Sequence, residues 1–282
     1  LTISKALVSE VAADASATYT FTIELSEAIT GEFAITGTTE KATFTNGTAT
    51  VSITGAGSKT IEGLPTGVTY EIAEANVVNL TPDAAVKTGT LDANKTVDFT
   101  NTRETGSLTI KKTVDSTNAA DANLEFTFVV TLTGVNDGEK TYTATGAVTS
   151  VKFTNGVSEK IKLKHNQTVT ITGLPAGVTY SVIESEANTN NFVTTSVGET
   201  GTIGATGTST AAFTNTKSEG GLVVSKKVVS AITADHSKEF TVTVTLDDLT
   251  IGGDEGAKYG DATFKNGVAT LSLKDGDVAV IE

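Results

Sequence analysis

Cysteine, methionine and tryptophan are absent from the 282 residues, and proline occurs only three times. Without cysteine there is no disulfide framework, thiol nucleophile or cysteine metal site; this fits exported proteins that do not rely on disulfides, though it does not identify a compartment. Positive charge is scarce as well. Twenty Lys and Arg against 33 Asp and Glu leave a formal net charge of −13, which repels phosphate backbones and anionic lipid and argues against nucleic acid and membrane surfaces as partners. No apolar run approaches the roughly 18 residues of a membrane span. The two histidines, His165 and His236, are isolated, so neither a metal site nor a Ser-His arrangement is indicated, and no cofactor is expected. There is no initiator Met and no signal sequence, so the chain reads as a mature protein or an excerpt of one. The remainder, 38% hydrophobic and 19% charged, is an ordinary globular composition of a length for two or three domains.

What is present is a repeat. LTISK at 1–5 returns as LTIKK at 108–112 and as LVVSK at 222–226. Fourteen residues after each final Lys an aromatic opens an alternating strand: Tyr19, Phe126 and Phe240. FTNG at 44–47 and 153–156, and FKNG at 264–267, predict tight hairpins, because Asn-Gly supplies the positive φ such turns need. GLPTGVTY at 63–70 and GLPAGVTY at 173–180 place a turn before another strand, and VDFTNTR at 97–103 and AAFTNTK at 211–217 close the first two copies.

Short strands rich in Thr, Val, Ile, Phe and Tyr, separated by Gly-rich turns, predict an all-β protein of tandem antiparallel sandwiches of about 105 residues each, with an immunoglobulin-like architecture. The boundaries fall at 1–104, 105–218 and 219–282. Residues 6–17, ALVSEVAADASA, form a loop or short helical turn. Junctions this short restrict bending and suggest a rod. The third copy stops before its GLPxGVTY strand and its closing strand, leaving a core face and an edge uncovered. Either the chain is an excerpt of a longer array, which is the preferred reading, or another chain supplies those strands.

Alternation along strands puts Leu1, Ile3 and Lys5 in one inward row, Tyr70, Ile72 and Glu74 in a second, and Val97, Phe99 and Asn101 in a third. Each row begins apolar and ends polar. The second copy repeats the trio as Lys112, Glu184 and Asn215; the phase of Lys5 selects Lys112 over Lys111 and Lys226 over Lys227. Buried alone, each polar group would carry a desolvation cost, so the three must answer one another. Burial pushes an amine toward its neutral, nucleophilic form and a carboxyl toward its protonated form. A neutral Lys can then attack the Asn carbonyl while Glu moves protons, releasing ammonia and leaving an uncharged amide.

LxIxK at the start, YxIxE late and FTN at the end resemble the CnaB-type and related pilin domains of Gram-positive surface proteins, whose hallmark is a self-formed intramolecular isopeptide bond. The resemblance covers residues 1–217 and the opening of the third copy. It implies a Lys5–Asn101 bond assisted by Glu74 and a Lys112–Asn215 bond assisted by Glu184, with Lys226 a third nucleophile unpaired in this chain. It further implies an extracellular, cell-wall-associated location and a structural role in a pilus shaft or adhesin stalk, with no enzymatic turnover. The partners expected are other copies or domains of the same fibre. The alternative is an adhesin whose loops, such as 133–150 or 247–261, contact a host protein or glycan, although Tyr142 and Tyr259 are the only aromatics there. The runs after the glutamates, AEANVV at 73–78 and IESEAN at 183–188, lack the family's Thr and Pro. Neither a sortase sorting signal nor a pilin Tyr-Pro-Lys motif occurs, so covalent polymerisation has no support in this stretch.

Asn46, Asn155 and Asn266 share the FxN context of the reactive asparagines, but the Gly after each marks a turn residue. Glu71 reads as exposed. GTIGATG at 201–207 reads as a flexible loop, and the acids of DDLTIGGDEG at 247–256 as a solvated one.

Overall fold

The computed structural model describes residues 1–282. The first domain has ten strands: β1 (Thr2–Val8), β2 (Thr18–Leu25), β3 (Gly31–Ala34), β4 (Lys41–Phe44), β5 (Thr48–Thr54), β6 (Gly57–Thr60), β7 (Thr69–Glu74), β8 (Leu80–Pro82), β9 (Val86–Thr90) and β10 (Thr96–Arg103). One sheet runs β6-β1-β10-β8 and faces a second, β5-β2-β7-β9, with β3 and β4 as a separate hairpin. Between the sheets lies a core that includes Ile3, Tyr19, Phe21, Phe44, Ile72 and Phe99. The Asn-Gly turns form as the sequence predicts, with Asn46 at φ 50° and Gly47 at φ 84°. The helical tendency of residues 6–17 becomes a 3-10 turn, Ala12–Ser16.

One expectation needs correcting. The sandwich is not wholly antiparallel: β1 and β10, the first and last strands, pair in parallel, with Lys5 opposite Phe99 and Leu7 opposite Asn101. A parallel pair needs a long crossover, and the entire domain between the two strands provides it. The second domain repeats the arrangement, Thr105–Asp115 running parallel to Thr208–Lys217. There the strand Glu139–Gly146 pairs with both Ser150–Thr154 and Thr168–Pro175, joining the two sheets along one side. The stretch 133–150 is therefore largely strand, not loop, and 247–261 likewise contains the strand Ala257–Tyr259. Gly173 to Pro175 also extends a strand, so the turn before Tyr180 falls at Ala176 and Gly177, the latter at φ 82°.

In residues 219–282, Leu222–Ser225 pairs only with Val278–Ile281, and Phe240–Thr245 only with Val268–Leu273. Val242 and Val244 are half-buried, whereas the matching Phe21 and Ile23 of the first domain are fully buried. The small cluster around Phe264 and Leu271 is the core of this copy.

The first two domains are joined by more than their linker. Val11, just before the 3-10 turn, is buried within the hydrophobic cluster of the second domain. It forms an antiparallel bridge with Val135, flanked by hydrogen bonds from Ala12 N–H to Gly134 O (3.0 Å) and from Asn136 N–H to Glu10 O (2.8 Å). Tyr142 Oη donates to Glu10 Oε2 at 2.7 Å, and Lys140 pairs with the same carboxylate. Burial, then the neighbouring Glu10, pushes the Tyr142 hydroxyl above its ordinary value, so it stays a donor. Val11→Ala removes two buried methyl groups, at roughly 0.8 kcal/mol each. Calorimetric unfolding should show the second domain weakened by about 1.5 kcal/mol although the substitution lies in the first.

Candidate functional site

In each complete domain the parallel pair of end strands carries Lys and Asn on the same face, offset by two residues, and a strand of the opposing sheet brings Glu across the core. Glu74 is paired in register with Phe21, and Glu184 with Phe128. Phe21 packs on Phe99, and Phe128 on Phe213, with ring centroids 5.1 Å apart in both cases. These aromatic pairs lie beside the polar trio and help keep it dry. The side chains of Lys5 and Glu74 are 0% and 1% exposed, and those of Lys112 and Glu184 are both 0% exposed. Lys111 is exposed, so the alternation that singled out Lys112 holds in the structure.

Lys5 Nζ lies 2.8 Å from Glu74 Oε1, and Asn101 Nδ2 donates to that same oxygen at 2.9 Å. In the second domain Lys112 Nζ donates to Glu184 Oε2 at 3.0 Å and to Oε1 at 3.3 Å, while Asn215 Nδ2 donates to Oε1 at 2.6 Å. One carboxylate oxygen thus touches both amine and amide nitrogen. Desolvation lowers the Lys5 and Lys112 amines below their ordinary value, and the hydrogen bond and charge of Glu74 and Glu184 oppose that shift only in part. Asn101 Oδ1 and Asn215 Oδ1 are buried without a donor, as is Glu74 Oε2 without a partner. An unanswered carbonyl oxygen in a dry site costs on the order of 1–3 kcal/mol. It is also the atom on which attack at the amide carbon would gather charge.

The aromatics at the fixed spacing have a role that the sequence reading did not assign. Lys5 Nζ sits 4.9 Å from the centroid of Tyr19, Lys112 Nζ 4.2 Å from Phe126, and Lys226 Nζ 4.2 Å from Phe240. Each ring face lines one side of an amine. The invariant interval of fourteen residues was the available signal. Lys226 is half-buried on its ring, with neither Glu nor Asn brought to it. Asn46, Asn155 and Asn266 all lie in turns with φ near 50°, away from these sites.

Comparison with families of proteins places both complete copies together: the family described as "Domain of unknown function (DUF7601)" matches residues 1–103 and again 106–217. The chain belongs to the DUF7601 family. No curated protein sequence matches it. Among solved structures, the DUF7601 chain is similar to the major pilin from Streptococcus pyogenes, at 18% identity and a TM-score of 0.49 over 77% of this chain and 98% of the pilin. The T3.2 major pilin from the same species gives 20% identity and a TM-score of 0.48 over 77% and 97%. A pilus-presented adhesin, Spy0125 (Cpa), gives 22% and 0.37 over 56% of this chain and 38% of the adhesin.

The depressed lysines make stability depend on pH while their amines are free. Asn101→Ala keeps the Lys5 amine beside Glu74 and removes the neighbouring side-chain amide. The folded amine titrates below the unfolded value of about 10.5, so between those two values the unfolded chain binds more protons and stability rises with pH. It is lost as pH falls through the folded value. Urea unfolding of Asn101→Ala should show this slope, at most about 1.4 kcal/mol per pH unit, and Lys5→Met/Asn101→Ala should flatten it.

Proposed function

We propose that each complete domain closes itself with a Lys–Asn isopeptide bond, Lys5 to Asn101 and Lys112 to Asn215, and that the chain is a stalk segment of a bacterial cell-surface fibre. The observation carrying this reading is the single Glu oxygen shared by amine and amide in a site closed to water. The lysine nitrogen attacks the asparagine Cγ, and its proton passes to the glutamate and on to Nδ2. The C–N bond to Nδ2 breaks and ammonia departs. One amide replaces another, atoms and charge balance, and no external reagent is required. The reaction is spent once per domain, so the chain is a structural protein and not an enzyme.

The strand geometry explains what the bond is for. Tension entering at Leu1 and leaving at Arg103 pulls β1 and β10 along their shared parallel ladder. With Lys5 and Asn101 joined, the load crosses from β1 to β10 through one covalent bond, and the sandwich between them is bypassed. Closing a loop of about 100 residues also stabilises the fold by about 4–5 kcal/mol on the chain-entropy estimate. The alternative is host recognition by 133–150 or 247–261; of the aromatics there, Tyr142 is engaged by Glu10 and Tyr259 lines the cleft between the second and third copies.

Intact-mass spectrometry tests the chemistry. The chain should be lighter than its sequence by about 34 Da, one ammonia of roughly 17 Da per bond. Glu74→Ala should restore one loss and leave the other. A mass equal to that of the sequence would overturn the cross-link.

A further inference from the structure

The backbone of Lys112 is held by a single turn. Its strand, Thr105–Asp115, pairs antiparallel with Thr168–Pro175 only as far as Lys111 opposite Thr168. Beyond that point residues 164–167, KHNQ, take over the edge. Lys112 N–H donates to Gln167 O at 3.1 Å, and Asn166 N–H donates to Lys112 O at 2.9 Å. Lys164 N–H donates to Gln167 Oε1 at 2.9 Å, which closes the turn on itself. The fourth contact comes from a side chain: His165 Nδ1 accepts from Val114 N–H at 2.9 Å. Val114 stands directly opposite Asn215 in the parallel ladder. His165 therefore pins the lysine strand at the register position of the asparagine.

The third copy builds the same turn from other residues. Lys226 N–H donates to Asp277 O and Gly276 N–H to Lys226 O, both at 2.9 Å. Lys274 N–H donates to Asp277 Oδ2 and Val228 N–H to Asp275 Oδ1, both at 2.7 Å. Strand register makes the two caps equivalent. Phe126 pairs with Leu163 and Phe240 with Leu273, and the cap stands two residues further on, His165 in one copy and Asp275 in the other. What imidazole and carboxylate share here is a lone pair aimed at a backbone N–H. The position calls for an acceptor, not for one residue type.

The first copy does without a cap. Tyr19 pairs with Ile53, which puts Gly55 at this place, where a Cβ would lie 2.3 Å from Ala15 O. There β6 reaches along the lysine strand instead, with Gly57 opposite Lys5.

The cap bears on distance. A strand end with few ladder partners opens locally, and attack at an amide carbon needs the reacting atoms about 3–3.5 Å apart and aligned. Lys112 Nζ and Asn215 Nδ2 already share Glu184 Oε1, at 3.3 and 2.6 Å, so a small shift of the strand carrying the amine separates them. We propose that His165 is a positioning residue for the Lys112–Asn215 cross-link, holding Val114 and through it the Lys112 backbone in register with Asn215. The assignment rests on the cross-link reading and extends it to a residue outside the trio, on which the second domain depends and the first does not.

Every molecule therefore carries its own reference. The full chain is made by cell-free synthesis, quenched in acid at intervals and digested. The peptides joined by Lys5–Asn101 and by Lys112–Asn215 are then followed separately by mass spectrometry, each pair lighter by one ammonia of roughly 17 Da. His165→Leu removes the acceptor and should slow the second bond about tenfold or more relative to the first, whereas His165→Asp, which copies Asp275, should restore it to within about threefold. Val151→Ala thins the core from a strand that pairs with neither Lys112 nor the turn; it weakens the domain with the cap in place and should leave the ratio of the two rates unchanged. An unslowed second bond in His165→Leu, a His165→Asp rate as low as that of His165→Leu, or equal slowing by Val151→Ala would each overturn the assignment. Absence of both bonds from the unsubstituted chain would overturn the cross-link reading and this role with it, so the two failures are told apart.

Discussion

A lysine amine held away from water between two sheets constrains most of what surrounds it in the complete domains. Taking that amine out of solvent costs several kcal/mol unless it is paired, and pairing with one carboxylate leaves two ions to desolvate. The arrangement around Lys5 and Lys112 responds on three sides: an aromatic face beside the nitrogen, a glutamate from the opposite sheet, and an asparagine one strand over that shares the glutamate oxygen. Under the proposed reaction, converting the amine into an amide would remove the charge and the cost together. The same step answers the asparagine carbonyl oxygen, otherwise buried without a donor, only in so far as the glutamate brings a proton to it. The desolvation that would destabilise an ordinary core here favours the reactive form of the nucleophile.

The site depends on the parallel pairing of the end strands. Lys and Asn near the same end of two adjacent parallel strands come close; on antiparallel neighbours two residues near the carboxyl ends would lie at opposite ends of the ladder. The pairing places the termini of each domain at opposite ends of one ladder as well, which is the geometry that carries tension through neighbouring strands. The proposed chemistry and the proposed load path therefore both rest on the parallel pairing of the end strands.

The joints extend the argument from domain to array. Val11 leaves its own domain to complete the core of the next, and Glu10 finds Lys140 and Tyr142 there. The first joint buries Val11 beside an exposed Glu10–Lys140 pair, whereas at the second a cleft stays open beside Asn118.

Much of this was legible in residue order. Alternation alone put Lys5, Glu74 and Asn101 on inward faces, the phase of Lys5 picked Lys112 over Lys111, and Asn-Gly marked the turns, because strand period and positive φ are local properties. The role of Tyr19 and Phe126 was visible as an unchanging interval but not as a contact, since spacing along a chain does not say which ring lies beside which amine. Parallel pairing of the end strands, the strand hidden in 133–150 and the insertion of Val11 into its neighbour were decided only by tertiary structure. Each depends on which edges and faces meet across a hundred residues or across a domain boundary, and no local propensity records that.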